Sequence, residues 1–201
     1  RAAALSALAT MLAGGVNAVA AGAVLPLALW WLLTLEPGPR RRQLIAWWSG
    51  LTFLAILWWL IPLLLLGRYS PPFLDWIESA SFTTSITDPT TVLRGANHWL
   101  AYLGSASAWK AGWMLATQPV LVLATGVVAA AGMAGLAMRS LPHRSFLVGA
   151  AVAGAVLVGL GHTGVMSGLG SEQIQAFLDG TGAPVRNVHK FDLVLRLPLT
   201  V

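Results

Sequence analysis

Arg186, Asn187, His189, Lys190, Asp192 and Arg196 fall within eleven residues of a 201-residue chain, just before a renewed apolar stretch. Wound as a helix, this stretch places Arg186, His189, Lys190 and Arg196 on one broad face, with Asp192 at its margin. Such a cationic face at a membrane edge suits the phosphate of a lipid-linked substrate, with Asn187 in the substrate cavity beside it. The plainer alternative is a solvated face whose lysine and arginine snorkel at the end of a span.

A second group lies upstream. Ser70-Pro71-Pro72 has the form of an N-cap followed by prolines in a first helical turn. In that helix Phe73, Trp76 and Ile77 share one face, and Asp75 and Glu78 lie on the other, as expected of a helix lying in the membrane interface. Asp75 and Glu78 can supply a general base at the bilayer edge, or simply form a solvated polar face. The hydroxyls from Ser79 to Thr91 suit a polyhydroxy ligand, and equally suit turns and caps. Asp88-Pro89 reads as another N-cap. Asn97, His98, Trp99 and Tyr102 fit a sugar site or an interfacial aromatic belt. His162 reads as a packing residue.

The elements that must position these groups are membrane helices. Only 9% of the residues are charged and 57% are apolar, so lipid rather than water is the expected solvent for much of the chain. Residues 2–35 carry no charge and would form a helix about 50 Å long, too long for a hydrocarbon core of about 30 Å. A break at Gly14-Gly15-Val16-Asn17 is expected, with Asn17 facing a substrate cavity, and a single tilted helix is the alternative. Further spans are expected at 44–66, 114–138 and 146–166. Small-residue pairs (Ala131 with Gly135, Ala150 with Gly154, Ala155 with Gly159) should let the last two pack closely.

Arg40, Arg41 and Arg42 in one connector, and Arg139 and Arg144 in another, assign both short loops to the cytoplasm. Segments 67–113 and 167–201, which hold six of the seven acids, then lie outside it. The chain is thus expected to be an all-α, multi-pass plasma-membrane bundle with an extracytoplasmic active face. Arg40, Arg41 and Arg42 could also attract anionic lipid or an acidic cytosolic protein. The start at Arg1 and the apolar finish at Val201 suggest an internal piece, 1–201, of a longer membrane domain.

Several chemistries are excluded. The chain contains no cysteine, hence no disulfide framework and no thiolate metal site. It has no zinc-ligand spacing, Walker loop, nucleophile elbow or dinucleotide fingerprint. Its basic residues are dispersed rather than gathered into a nucleic-acid stripe.

The run Trp58-Trp59-Leu60-Ile61-Pro62 through Gly67-Arg68-Tyr69-Ser70-Pro71-Pro72-Phe73-Leu74-Asp75-Trp76-Ile77-Glu78-Ser79 resembles the large actinobacterial membrane arabinofuranosyltransferases of the mycobacterial cell envelope, of the α-(1→3) type. Gln175-Ala176-Phe177-Leu178-Asp179, Gly182 through Asp192, and Arg196-Leu197-Pro198 are similar to the same family, as are Gly15 through Ala20 and Val92-Leu93-Arg94-Gly95. The resemblance implies a GT-C membrane fold that transfers arabinofuranose, with inversion, from decaprenyl-phosphoryl arabinose to an arabinan acceptor. It implies no nucleotide and no other cofactor. An extracytoplasmic carboxylate would take the acceptor's proton while cations stabilise the departing lipid phosphate. The family's catalytic aspartate is expected in the first extracytoplasmic loop, upstream of Arg1. A transporter or flippase of a lipid-linked sugar, or a noncatalytic segment binding glycan or lipid, would use similar amphipathic edges.

Overall fold

The computed structural model describes residues 1–13, 18–69, 78–103, 109–164 and 166–201. Every regular element among them is helical, in agreement with the all-α expectation. The chain forms two compact units, Arg1–Phe73 and Leu74–Val201.

The first unit contains α1 (Ala2–Ala13), α2 (Ala18–Thr34) and α3 (Pro39–Leu66), with α1 packed along α3. The expected break at 14–17, and Asn17 itself, lie outside the described residues. Proline at the first position opens α3 five residues earlier than the expected span, so the three arginines belong to its first turn. Arg41 reaches back to the carbonyls of Leu33 (3.3 Å) and Leu35 (3.1 Å), giving partners to groups that the end of α2 leaves unpaired. Arg40 and Arg42 are exposed. In each tryptophan pair of α3 one ring turns inward: Trp48 and Trp59 are buried, while Trp47 and Trp58 are exposed. The buried members lie about three helical turns apart, on one stripe. Trp48 Nε1 donates to Ser6 Oγ on α1 at 3.1 Å.

The second unit contains α4 (Ala80–Thr84), α5 (Pro89–Arg94), α6 (Lys110–Thr117), α7 (Pro119–Ala137), α8 (Arg144–Gly159), α9 (Ser171–Asp179) and α10 (Asp192–Thr200). Single 3-10 turns lie at Trp99–Tyr102, Ala183–Val185 and Val188–Phe191. The expected span 114–138 is two helices. Pro119 forces Gln118 into an extended conformation, which ends α6 and opens α7. The expected span 146–166 stops at Gly159, followed by extended Leu160 and by Gly161 at φ 74°.

Helices α3 and α7 are long and apolar enough to cross a membrane, and only 11% of the apolar window of each is buried. A soluble protein would cover its core helices, so these surfaces are built for an apolar surrounding.

The neighbour that the small residues of α7 and α8 admit most closely is α10. Helix α10 packs across α8 and also against α7. A Cβ at Gly154 would lie 2.5 Å from the backbone nitrogen of Leu195, and one at Gly132 would lie 2.5 Å from the carbonyl oxygen of Leu199. Gly135, expected at a close contact, faces open space. Val92, Val158 and Leu195 form the core where α5, α8 and α10 meet.

Candidate functional site

The local chemistry of 79–91 is capping chemistry. Ser79 Oγ accepts from the amide of Phe82 and starts α4. The hydroxyls of Thr84, Ser85, Thr87 and Thr91 donate to nearby backbone carbonyls, and that of Thr83 reaches the distant Arg186 carbonyl (3.1 Å) as well as the Ala80 carbonyl (3.3 Å). Asp88 Oδ1 accepts from the amides of Thr90 (2.9 Å) and Thr91 (3.1 Å), capping α5. Burial pushes its carboxyl pKa up, but the hydrogen bonds from Thr90 and Thr91 together outweigh that and hold it below the usual carboxylate range. Of the two readings of this segment, these hydrogen bonds favour turns and caps over a free sugar-binding surface.

Just upstream of α4 is the arrangement with chemical potential. Asn187 Nδ2 donates to Glu78 Oε1 at 2.5 Å, and Asn187 Oδ1 accepts from Trp99 Nε1 at 2.7 Å. Because Asn187 is held from both sides, it orients the carboxylate. The other oxygen, Glu78 Oε2, is buried and has no hydrogen-bond partner among the described residues. Asp75 lies outside the described residues.

The cationic stretch does not form the single helical face expected from its spacing. It forms two 3-10 turns, Ala183–Val185 and Val188–Phe191, with Asn187 at ψ 67° between them, and only Asp192 onward is α-helical. The four predicted phosphate ligands accordingly differ in situation. Arg186 is 3% exposed, and its Nε lies 3.2 Å from Asp179 Oδ1 and donates to the Leu178 carbonyl at 3.1 Å. Its Nη1 donates to the Glu78 carbonyl. Asp179 Oδ1 also accepts from the Ala80 amide at 2.7 Å, so Arg186 and Asp179 join α9 to the start of α4. Arg196 pairs with Asp192 at 2.8 Å and donates to the carbonyls of Leu93 (2.6 Å) and Val92, fastening α10 to α5.

His189 lies against His98, ring centroids 4.0 Å apart and planes tilted by 41°, and Trp109 meets His98 edge-on at 4.9 Å. Burial, with smaller contributions from His98 and Lys190, pushes the His189 imidazole down to about 3. It is therefore neutral near pH 7 and offers a hydrogen bond rather than a charge. Burial also lowers His98, against the opposing pull of Asp192. The Lys190 side chain is partly exposed and makes no hydrogen bond or ion pair with the described residues, while its backbone amide donates to the Asn187 carbonyl at 3.0 Å.

The structure thus brings together Glu78 and Asn187, as their types allow, joins to them Trp99, one of the residues that fit a sugar site or an aromatic belt, and adds Asp179, which spacing alone does not single out. A signal for Asp179 was present: it stands seven residues before Arg186 across Gly180-Thr181-Gly182, a turn that returns the chain. Trp99 read as a belt residue because an indole at an interface is ordinary. Among the described residues no group of three or more histidine or acidic side chains is placed to hold a metal.

Comparison with known proteins agrees with these elements. The chain is similar to α-(1→3)-arabinofuranosyltransferases of Mycolicibacterium smegmatis (46% identical over 203 residues) and Mycobacterium tuberculosis (42% over 200 residues). Each alignment covers 99% of this chain but 14% of the relative, so the chain spans about a seventh of their length. It is also similar to a solved structure described as the single-particle cryo-EM structure of arabinofuranosyltransferase AftD from mycobacteria. That likeness has 33% identity and a TM-score of 0.60, and covers 99% of this chain and 14% of the other. The sequence profile described as alpha-(1->3)-arabinofuranosyltransferase, N-terminal GT-C domain, matches residues 1–201, and the chain belongs to that family.

Proposed function

We propose that this chain contributes part of the active site of a multi-pass plasma-membrane arabinofuranosyltransferase, on the extracytoplasmic face. The observation that carries this reading is Glu78, one oxygen held at 2.5 Å by Asn187 and the other buried without a partner among the described residues. A buried acceptor left open is costly unless something donates to it, and a substrate hydroxyl would do so. In the proposed reaction the arabinan hydroxyl gives its proton to Glu78 as its oxygen bonds to the anomeric carbon of arabinofuranose. The bond from that carbon to the decaprenyl phosphate breaks on the opposite face, and its electron pair leaves with the phosphate, inverting the configuration. The lipid phosphate is itself the activating group, so the reaction as proposed uses no cofactor.

Of the four predicted phosphate ligands, Lys190 is best suited to the leaving phosphate, with neutral His189 donating a hydrogen bond beside it. Arg186 and Arg196 are bound to backbone carbonyls and acids, and their part is to hold 78–80 and α5 in place. Asp75 is the second carboxylate of the proposal and Asn17 its remaining cavity residue, both on sequence grounds. The arginine-bearing connectors near 40 and 139–144 face the cytoplasm in this topology, and exposed Arg40 and Arg42 are the groups open to an acidic partner or anionic lipid.

The test is turnover of decaprenyl-phosphoryl arabinose with a synthetic arabinan acceptor by the full-length protein. Replacing Glu78 by Gln should lower turnover on the order of a hundredfold or more while donor binding persists. Wild-type turnover in a folded Glu78→Gln protein would remove Glu78 from the chemistry.

A further inference from the structure

A cleft of about 370 Å³ opens between α5, α7 and α10, and none of its lining residues belongs to the Glu78 network. Its walls differ in character. Ala124, Val128 and Leu199 line an apolar side, and Arg94, Arg196 and Asp192 line a polar side. Arg196 and Asp192 neutralise each other in their ion pair. Arg94 is different. Its Nε donates to Thr125 Oγ1 at 3.1 Å and its Nη2 to the Leu115 carbonyl at 2.7 Å, and the other guanidinium N–H groups meet no acceptor among the described residues.

The depth of this charge matters. Thr125 lies about 9 Å along α7 from Pro119, within the helix that is long and apolar enough to cross a membrane. Val120, Leu123, Val127 and Val128 of that helix are exposed, so lipid can reach the cleft's apolar wall. An arginine at such depth, half-buried and without an ion-pair partner among the described residues, calls for an anion, and a phosphate matches its remaining donors. The net charge of the lining, one arginine in excess, selects a singly charged anionic lipid over a zwitterionic one.

We propose that this cleft binds one anionic phospholipid, its phosphate on Arg94 and one acyl chain along Ala124, Val128 and Leu199. This lipid is bound as a fixed part of the protein and is not consumed in the proposed transfer.

Native mass spectrometry of the full-length protein, titrated in detergent with phosphatidylglycerol, tests the assignment. Wild type should hold one phosphatidylglycerol in preference to phosphatidylcholine. Arg94→Gln should weaken that binding about fivefold, and Arg94→Lys should restore part of it. Ala124→Phe narrows the apolar side without altering charge and should also weaken binding, which keeps the test decisive if Arg94→Gln folds poorly. Glu78→Gln should bind the lipid normally, separating this site from the proposed chemistry. Equal phosphatidylglycerol binding by wild type, Arg94→Gln and Ala124→Phe would overturn the proposal, as would equal retention of phosphatidylcholine by wild type. Displacement of the lipid by inorganic phosphate would show a free-anion site, and displacement by equimolar decaprenyl phosphate would show a substrate site. Either result also overturns it.

Discussion

Replacing Arg186 by Met should destabilise the 74–201 unit rather than merely slow a reaction. The side chain is 3% exposed and its guanidinium meets the carbonyls of Leu178 and Glu78 as well as Asp179. A hydrogen bond from a charged donor is worth about 1.5–3 kcal/mol, and removing the donor leaves the two carbonyls to find new partners in a buried place. The Asp179 side chain is 45% exposed, so water screens the ion pair and its own share is about 1 kcal/mol or less. The total loss is then about 3–5 kcal/mol, dominated by the carbonyls. Asp179→Asn separates the contributions. It keeps an oxygen for the Ala80 amide and removes only the charge, so it should cost about 1 kcal/mol or less. Heating the full-length protein and following its monodisperse fraction by size-exclusion chromatography reads both variants. Arg186→Met should lower the apparent melting temperature on the order of 10 °C, and Asp179→Asn by a few degrees at most. Lys190→Met should leave it unchanged within error. Equal losses for Arg186→Met and Asp179→Asn would refute the reasoning, because the ion pair and not the carbonyl contacts would then carry the stability.

Two further outcomes follow from the packing and the buried imidazole. Gly154→Ala puts a methyl group 2.5 Å from the Leu195 backbone and should cost about 1–3 kcal/mol, whereas Gly135→Ala meets open space and should be neutral or slightly stabilising in the same heating assay. The His189 pKa lies near 3 in the folded chain against 6.5 unfolded, so the unfolded state binds the extra proton between those values. Its stabilising contribution is complete above pH 6.5 and is lost as pH falls toward 3. His189→Gln should therefore flatten the decline in melting temperature between pH 7 and 5, and an unchanged decline would show that another group sets it.

Much of this protein was legible in its sequence because the relevant physics is local. Hydropathy and the scarcity of charge specified a helical chain meant for lipid, since nothing but a closed backbone hydrogen-bond pattern is tolerated there. Asp88-Pro89 announced its cap because an acceptor side chain followed by proline satisfies a helix start within three residues. The same local rules, read closely, also account for the division of 114–138 at Gln118-Pro119.

What the tertiary structure decided is which polar groups are already occupied. Spacing placed Arg186, His189, Lys190 and Arg196 together as one cationic face, but spacing treats every charge as available. Arg186 meets Glu78 across 108 positions, and Arg196 meets Leu93 across 103. Burial disfavours the charged form of His189 and holds it as a neutral imidazole. Small residues at regular intervals on α7 and α8 signalled close approach without naming the partner, because a missing Cβ admits any backbone, and here α10 takes the space. Asn187 became the holder of Glu78 only when the chain returned 109 residues later, a distance over which no periodicity acts and only packing decides.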